Sequence, residues 1–202
     1  HVIAGLRAAG YVEEARGAAS PRLTYRIESR PLRAPAWEPE SALVVIEGQS
    51  EPLLRFATNR NMMAINSHAT PDGGVTAEVV QVDAAGFSSA NVEGRIVYAD
   101  APIERLFADA VQRRGAVGVL SYRMPEYLRP AEHRNSIQFG SIPLDEEKRS
   151  WGILLSFAAR ERLRAALATG PVRLRVVTAA RFRRGAVRTV IEPCERQIDD
   201  RN

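Results

Sequence analysis

The stretch from Gly94 to Tyr122 constrains the fold of this chain more than any other. Arg95–Ile96–Val97–Tyr98–Ala99 reads as a strand that follows a turn at Asn91–Val92–Glu93–Gly94. Ile103, Leu106, Phe107, Ala110 and Val111 then recur at i, i+3, i+4, i+7 and i+8, the single apolar face of a helix. Asp100 is placed to cap that helix, and Pro102 falls in its first turn, where a missing N–H is harmless. Gly115 suits a left-handed helix stop, and Ala116 to Tyr122 is a near-continuous apolar run. Strand, helix and strand in so few residues make a crossover unit, so the two strands are expected to be parallel with a right-handed connection.

A second unit of the same kind follows. Trp151 to Leu155 is strand-like, Ser156 is a natural N-cap, residues 157–169 are helical, and Gly170–Pro171 ends them. Val172 to Val177 alternates as an amphipathic strand, and Ala186 to Ile191 reads as one more. Towards the N-terminus, residues 2–9 have helical spacing with a stop at Gly10, and residues 22–30 alternate as a half-buried strand. Pro31, Pro35 and Pro39 mark a linker pinned by the Trp37 indole, and Ser41 to Ile46 suits a buried strand. A turn at Gly48–Gln49–Ser50 leads to a short helix or irregular segment around Leu53, Leu54 and Phe56. Val75 to Val82 is a strand behind the turn Pro71–Asp72–Gly73–Gly74. The polar segments 57–74 and 123–150 are expected to be exposed, mobile loops.

A chain of 202 residues with 45% hydrophobic residues can build a substantial core. No apolar run approaches the ~20 residues a membrane helix needs, so no membrane span is expected. The first residues lack the basic and apolar regions of a signal peptide, and there is no initiator Met. The chain is therefore expected to be an excised or processed piece, soluble, and extracytoplasmic if an upstream signal was removed. Cys194 is the single cysteine, so no intrachain disulfide can form. The net charge of +4 comes almost wholly from arginine, since Lys148 is the only lysine. Its densest cluster, Arg181–Phe182–Arg183–Arg184, reads as a solvated strand edge or loop, and without a recognisable binding motif no nucleic-acid partner is expected.

The search for chemistry yields no catalytic, metal-binding or cofactor-binding residue. His1, His68 and His133 are the only histidines and share no ligand spacing; His68 and His133 are expected to be solvated in polar loops. Ser156 sits where a hydrolase nucleophile would, but no Gly-x-Ser-x-Gly elbow surrounds it, and capping accounts for its position. The glycines of 115–118 close a helix and lack the Gly-Lys-Ser/Thr of a phosphate loop. Met62, Met63, Tyr122, Met124 and Tyr127 lie in or beside the two long loops, either as an adaptable contact surface or buried against the sheet. Met124 and Tyr127 are the candidate partner-contact residues.

Asn91-Val-Glu-Gly-Arg-Ile-Val-Tyr-Ala, then a helix, then Arg114-Gly-Ala-Val-Gly-Val-Leu-Ser-Tyr, resembles the protease-associated domain. That domain usually has a "GKIVLV" strand, a helix closing in a "GA" turn and a "GVIIY"-type strand. Leu154-Leu-Ser-Phe through Leu167-Ala-Thr-Gly resembles its closing strand–helix pair, and Gly10–Tyr11 with Pro35–Ala36–Trp37 resembles bacterial zinc aminopeptidases that carry the domain as an insert. Arg95 replaces the usual lysine, and Ser141–Ile142–Pro143 matches only loosely.

The resemblance implies an α+β fold, a mixed β-sandwich or open barrel flanked by short helices. It implies a protease-associated domain over residues 57–192. Residues 1–56 form a helix-and-strand segment, part of or packed on a peptidase body, and 193–202 form a tail. The function implied is a non-catalytic module of a zinc metallopeptidase that controls substrate access or contacts proteins; a free-standing peptide- or protein-binding module is the alternative. Its partner is a peptide or protein substrate, or the peptidase domain of the same parent. Zinc is expected only in a catalytic domain outside this chain, since the family's His-x-Asp has no match among residues 194–200.

Overall fold

The computed structural model describes residues 1–14, 23–83 and 90–191, so Cys194 and the tail lie outside the described residues. These are α+β, with ten strands in two sheets and three α-helices. Two compact units arise: Trp37–Phe182, and His1–Ala36 together with the described residues from Arg183 onward.

In the smaller unit, helix α1 (Val2–Ala8) closes at Gly10, whose φ of +86° is the left-handed conformation expected of a glycine stop. Three strands form one sheet in the order β1 (Val12–Glu13), β2 (Thr24–Pro31), β10 (Ala186–Ile191). β1 and β2 are parallel, and β10 runs antiparallel to β2 from Ala186 opposite Pro31 to Ile191 opposite Arg26. Arg7 donates from Nε to the hydroxyl of the buried Tyr25 at 2.9 Å.

The larger unit is built on a seven-stranded sheet. Its order is β4 (Leu54–Arg55), β3 (Ala36–Ile46), β9 (Arg173–Arg183), β5 (Val75–Gln81), β6 (Ile96–Ala99), β7 (Gly118–Ser121), β8 (Trp151–Leu154). β5 to β8 are mutually parallel, which for β6 and β7 is what the crossover argument requires. The second strand–helix–strand unit is of another kind, since β9 is antiparallel to β5 and is separated from β8 by three strands. All residues of β6, β7 and β8 are buried, which is why they read as unbroken apolar runs. β5 and β9 alternate in burial, as the alternation read in residues 172–177 leads one to expect for β9. The expected apolar face at 103, 106, 107, 110 and 111 is buried throughout. Its helix is shorter than expected: α2 (Ile103–Phe107) passes into a π-helical turn over Ala108–Arg113. Helix α3 (Phe157–Thr169) begins at Ser156, whose Oγ accepts from the Ala159 N–H at 3.2 Å. The capping role is therefore realised.

Some local expectations need correction. Asp100 does not cap α2; Pro102 holds that position, because the Asp100 carboxylate is turned to Tyr98 and Arg160. The proline-marked stretch is a connection only over residues 32–35, since Pro31 closes β2 and Pro39 lies within β3. Within β3 the Trp37 indole N–H donates to the Ser67 carbonyl at 2.8 Å, so the expected pinning by the indole is realised. Leu54–Arg55 is a short strand paired with β3. β9 is interior to the sheet order, but its end at Arg181–Phe182–Arg183 runs past the ladder to β5, which stops at Val176. Arg181, Arg183 and Arg184 are exposed as expected, and Arg181 pairs with Glu40. β3 and β4 share one sheet with β5 to β9.

Segment 57–74 is not a free loop either. Met62, Met63 and Ala64 are buried, and the chain from 59 to 66 runs beside 135–142. The Asn61 amide donates to the Ile137 carbonyl at 3.2 Å, and the Asn66 amide to the Ile142 carbonyl at 2.9 Å. Polar side chains thus satisfy carbonyls that would otherwise lie unpaired next to the core.

Candidate functional site

In open sheets of parallel strands, ligand crevices form beyond the carboxyl ends of the strands. Here those ends are Ala99, Ser121 and Leu154. On one side of them lies a closed polar network. The Tyr98 hydroxyl donates to Asp100 Oδ1 at 2.6 Å, and Arg160 donates to Oδ2 from Nε at 3.0 Å and from Nη2 at 2.6 Å. Arg164 adds a longer ion pair at 3.6 Å. Burial would lift the Asp100 carboxyl, but hydrogen bonds from Arg160 and Tyr98 outweigh it and hold the group below the usual carboxylate range. Burial, and then the hydrogen bond to Asp100, push the Tyr98 hydroxyl well above its usual value. The Arg160 guanidinium also sits 4.8 Å from the Tyr122 ring centroid, and Tyr122 meets Phe157 edge-on at 6.4 Å. With its donors committed in this way, the network ties β6 to α3 and leaves little for chemistry.

On the other side the ends of β7 and β8 open into a cavity of about 420 Å³, lined by Ile103, Ser121, Arg123, Phe139, Ser141 and Leu154 among others. Ser121 is buried, and its hydroxyl donates to the Ala101 carbonyl, so it is no nucleophile. A smaller, more apolar cavity of about 260 Å³ adjoins it, with Gln138 in the walls of both. Met124, Leu128, His133 and Ile137 line the smaller one. The Met and Tyr residues singled out from sequence are therefore dispersed. Met62 and Met63 are core, and Tyr122 is held by Arg160 and Phe157. Met124 lines the apolar cavity, and Tyr127 is 78% exposed. Phe139, which the sequence reading passed over, is 71% exposed.

His68 is also placed differently from expectation. It is buried, with its ring centroid 4.5 Å from that of Phe182, and its Nε2 has no hydrogen-bond partner among the described residues. Its backbone explains the burial: the N–H donates to the Ser150 carbonyl at 2.9 Å, and the carbonyl accepts from the Thr178 hydroxyl at 3.0 Å. Burial and then the charge of Arg149 lower its pKa from the ordinary 6.5, against smaller opposing effects of Asp145 and Glu146. A base with a depressed folded pKa is neutral in the native state, so its unfolded form takes up the proton first. Its contribution to stability is complete above about pH 6.5 and declines as the pH falls below that value. Urea midpoints measured between pH 8 and pH 5 should therefore decline below pH 6.5, with a slope of at most about 1.4 kcal/mol per pH unit from this group. His68→Phe should flatten that decline, and an unchanged pH profile in the variant would assign it to other groups.

Among the described residues no three His, Cys, Asp or Glu side chains converge as a metal-ion site, so these residues do not fit a zinc ion. No helix among the described residues is long and apolar enough to cross a membrane.

No protein-family model matches the sequence, and no curated protein does. Solved structures do. A peptidase M28 precursor from Shewanella amazonensis is similar with a TM-score of 0.57 and 18% identity, over 94% of this chain and 42% of that one. Its fold is that of part of a peptidase chain. An aminopeptidase from an Aneurinibacillus strain is similar with a TM-score of 0.55 and 19% identity, over 86% of this chain and 40% of that one. For a zinc aminopeptidase from Bacillus subtilis the values are 0.51 and 14%, over 82% and 36%. The chain thus spans roughly two-fifths of the length of these peptidases. At such identities the likeness is one of fold.

Proposed function

We propose that the Trp37–Phe182 unit is a protease-associated module of a zinc metallopeptidase, non-catalytic in itself, which governs substrate access or contacts other proteins. The supporting observation is the fold likeness, which takes in nearly all of this chain but a minor part of each peptidase chain. Zinc, on this reading, belongs to a catalytic domain elsewhere in the parent. Contact with a peptide or protein is made through the 123–150 segment, where Met124 lines an apolar cavity and Tyr127 stands exposed.

The test has two arms. The purified chain should not hydrolyse a chromogenic aminoacyl substrate, and chelator-sensitive hydrolysis by it would remove the proposal. The reading frame around the chain should encode a His-x-Asp with acidic metal ligands; their absence would favour a free-standing binding module. In a parent that carries them, Tyr127→Ala should change kcat/KM for peptide substrates several-fold while altering unfolding free energy by less than about 0.5 kcal/mol, as is usual for an exposed side chain. A loss above about 2 kcal/mol would make Tyr127 a core residue.

A further inference from the structure

The seven-stranded sheet does not stop at β8. Met63 pairs antiparallel with Ile153 of β8, and two residues further on Ile65 pairs in parallel with Ser141. The second bridge has a definite polarity: the Ile65 N–H donates to the Gly140 carbonyl at 2.8 Å, and the Ile142 N–H donates to the Ile65 carbonyl at 3.0 Å. Gly140 and Ile142 therefore face inward, and in an extended chain the residue between them turns its own N–H and C=O the opposite way. Those two groups of Ser141 have no hydrogen-bond partner among the described residues, and Ser141 is exposed. An outer strand position with an open donor and acceptor is the template on which another extended chain can pair.

This edge forms part of the wall of the 420 Å³ cavity. The same cavity holds Arg123, which forms no ion pair among the described residues, and the exposed ring of Phe139. An open backbone pair beside an apolar ring and an unpaired guanidinium, with Glu104 the one carboxylate in the same lining among the described residues, matches one kind of ligand. We propose that an extended peptide bearing a carboxylate docks here by strand addition, pairing with the Ser141 N–H and C=O. Its carboxylate meets Arg123, and an apolar side chain covers Phe139. The inference rests on the reading of the chain as a module that contacts peptides or proteins, and it assigns the site and mode of that contact.

The probe is an acetylated, amidated heptapeptide of alternating Thr and Val with one central Glu, titrated into the isotopically labelled full chain. Amide signals of Ser141 and Phe139 should shift, and N-methylation of the peptide's alternate amides should abolish binding. Ser141→Pro, which removes the outward donor, and Arg123→Glu should each weaken binding at least tenfold with an unchanged circular dichroism spectrum. If the proline variant fails to fold, Arg123→Glu and the N-methylated peptide carry the test. Absence of binding at millimolar peptide, undiminished binding of the N-methylated form, or shifts confined to Met124 and Tyr127 would overturn the proposal. Concentration-dependent dimerisation lost in Ser141→Pro would do so too, by giving the edge to a second copy of this chain. None of these failures touches the access module, since the effect of Tyr127→Ala on the parent's kcat/KM is read separately.

Discussion

Trp151→Ala is expected to lower the unfolding free energy of the chain by about 3–5 kcal/mol, the range for truncating a buried large aromatic. Trp151 opens β8 and is only 2% exposed. Its indole lies over Gly118, the first residue of the neighbouring parallel strand and its partner in register. No flexible side chain stands ready to fill the space the ring would vacate on that side, because the residue beneath it is a glycine. A urea titration that shows a shifted midpoint at an unchanged m-value measures the loss directly. A loss below about 1 kcal/mol would mean that the ring is not part of the packing that holds β7 to β8.

The second large effect is the mirror of the first. A Cβ at Gly118 would stand 2.5 Å from both Cε2 and Cζ2 of Trp151, closer than packed carbon atoms tolerate. Gly118→Ala is therefore expected to cost about 1–3 kcal/mol, as overpacking of a dense core does. The two substitutions should not add. With the indole gone, the new methyl has room, so Gly118→Ala should be nearly neutral, or slightly stabilising, in a Trp151→Ala background. A double-mutant cycle checks this, and additivity within about 0.5 kcal/mol would refute the ring as the cause. Gly118 thus owes its identity to a close approach: its φ lies outside the left-handed region, unlike that of Gly115 at +74°.

Such particulars show what could be read before folding. Runs such as Ile96–Ala99 and Gly118–Ser121 announced buried parallel strands because local burial on both faces is written into consecutive residues. Ser156 and Gly115 were legible because caps are local chemistry. The errors came where partners lie far apart along the chain. Asp100 looked like a cap, but Arg160, 60 residues away, claims its carboxylate. Segment 57–74 looked solvated by composition, yet the Asn61 and Asn66 side chains are spent on carbonyls of 137 and 142. His68 looked like a loop histidine, since nothing nearby in sequence signals that Phe182 will stack on it. Of the candidate contact residues, Met124 and Tyr127 could be named from composition, whereas the open backbone at Ser141 could not, because it follows from a pairing with Ile65 alone.

The paired stretches 59–66 and 135–142 keep one constant offset of 76 residues through their asparagine contacts and through the Ile65–Ser141 bridge. That offset makes the chain unequally tolerant of changes in length. Residues added between the two stretches, at the turn of Asp72–Gly73 for example, only lengthen the excursion and leave the pairing intact. A single residue deleted between Asn61 and Asn66 would break the shared spacing. One asparagine would then meet an N–H where it needs a carbonyl, and Ser141 would turn from solvent towards Ile65. Length variation among proteins of this fold should accordingly spare these two eight-residue tracts and accumulate between them.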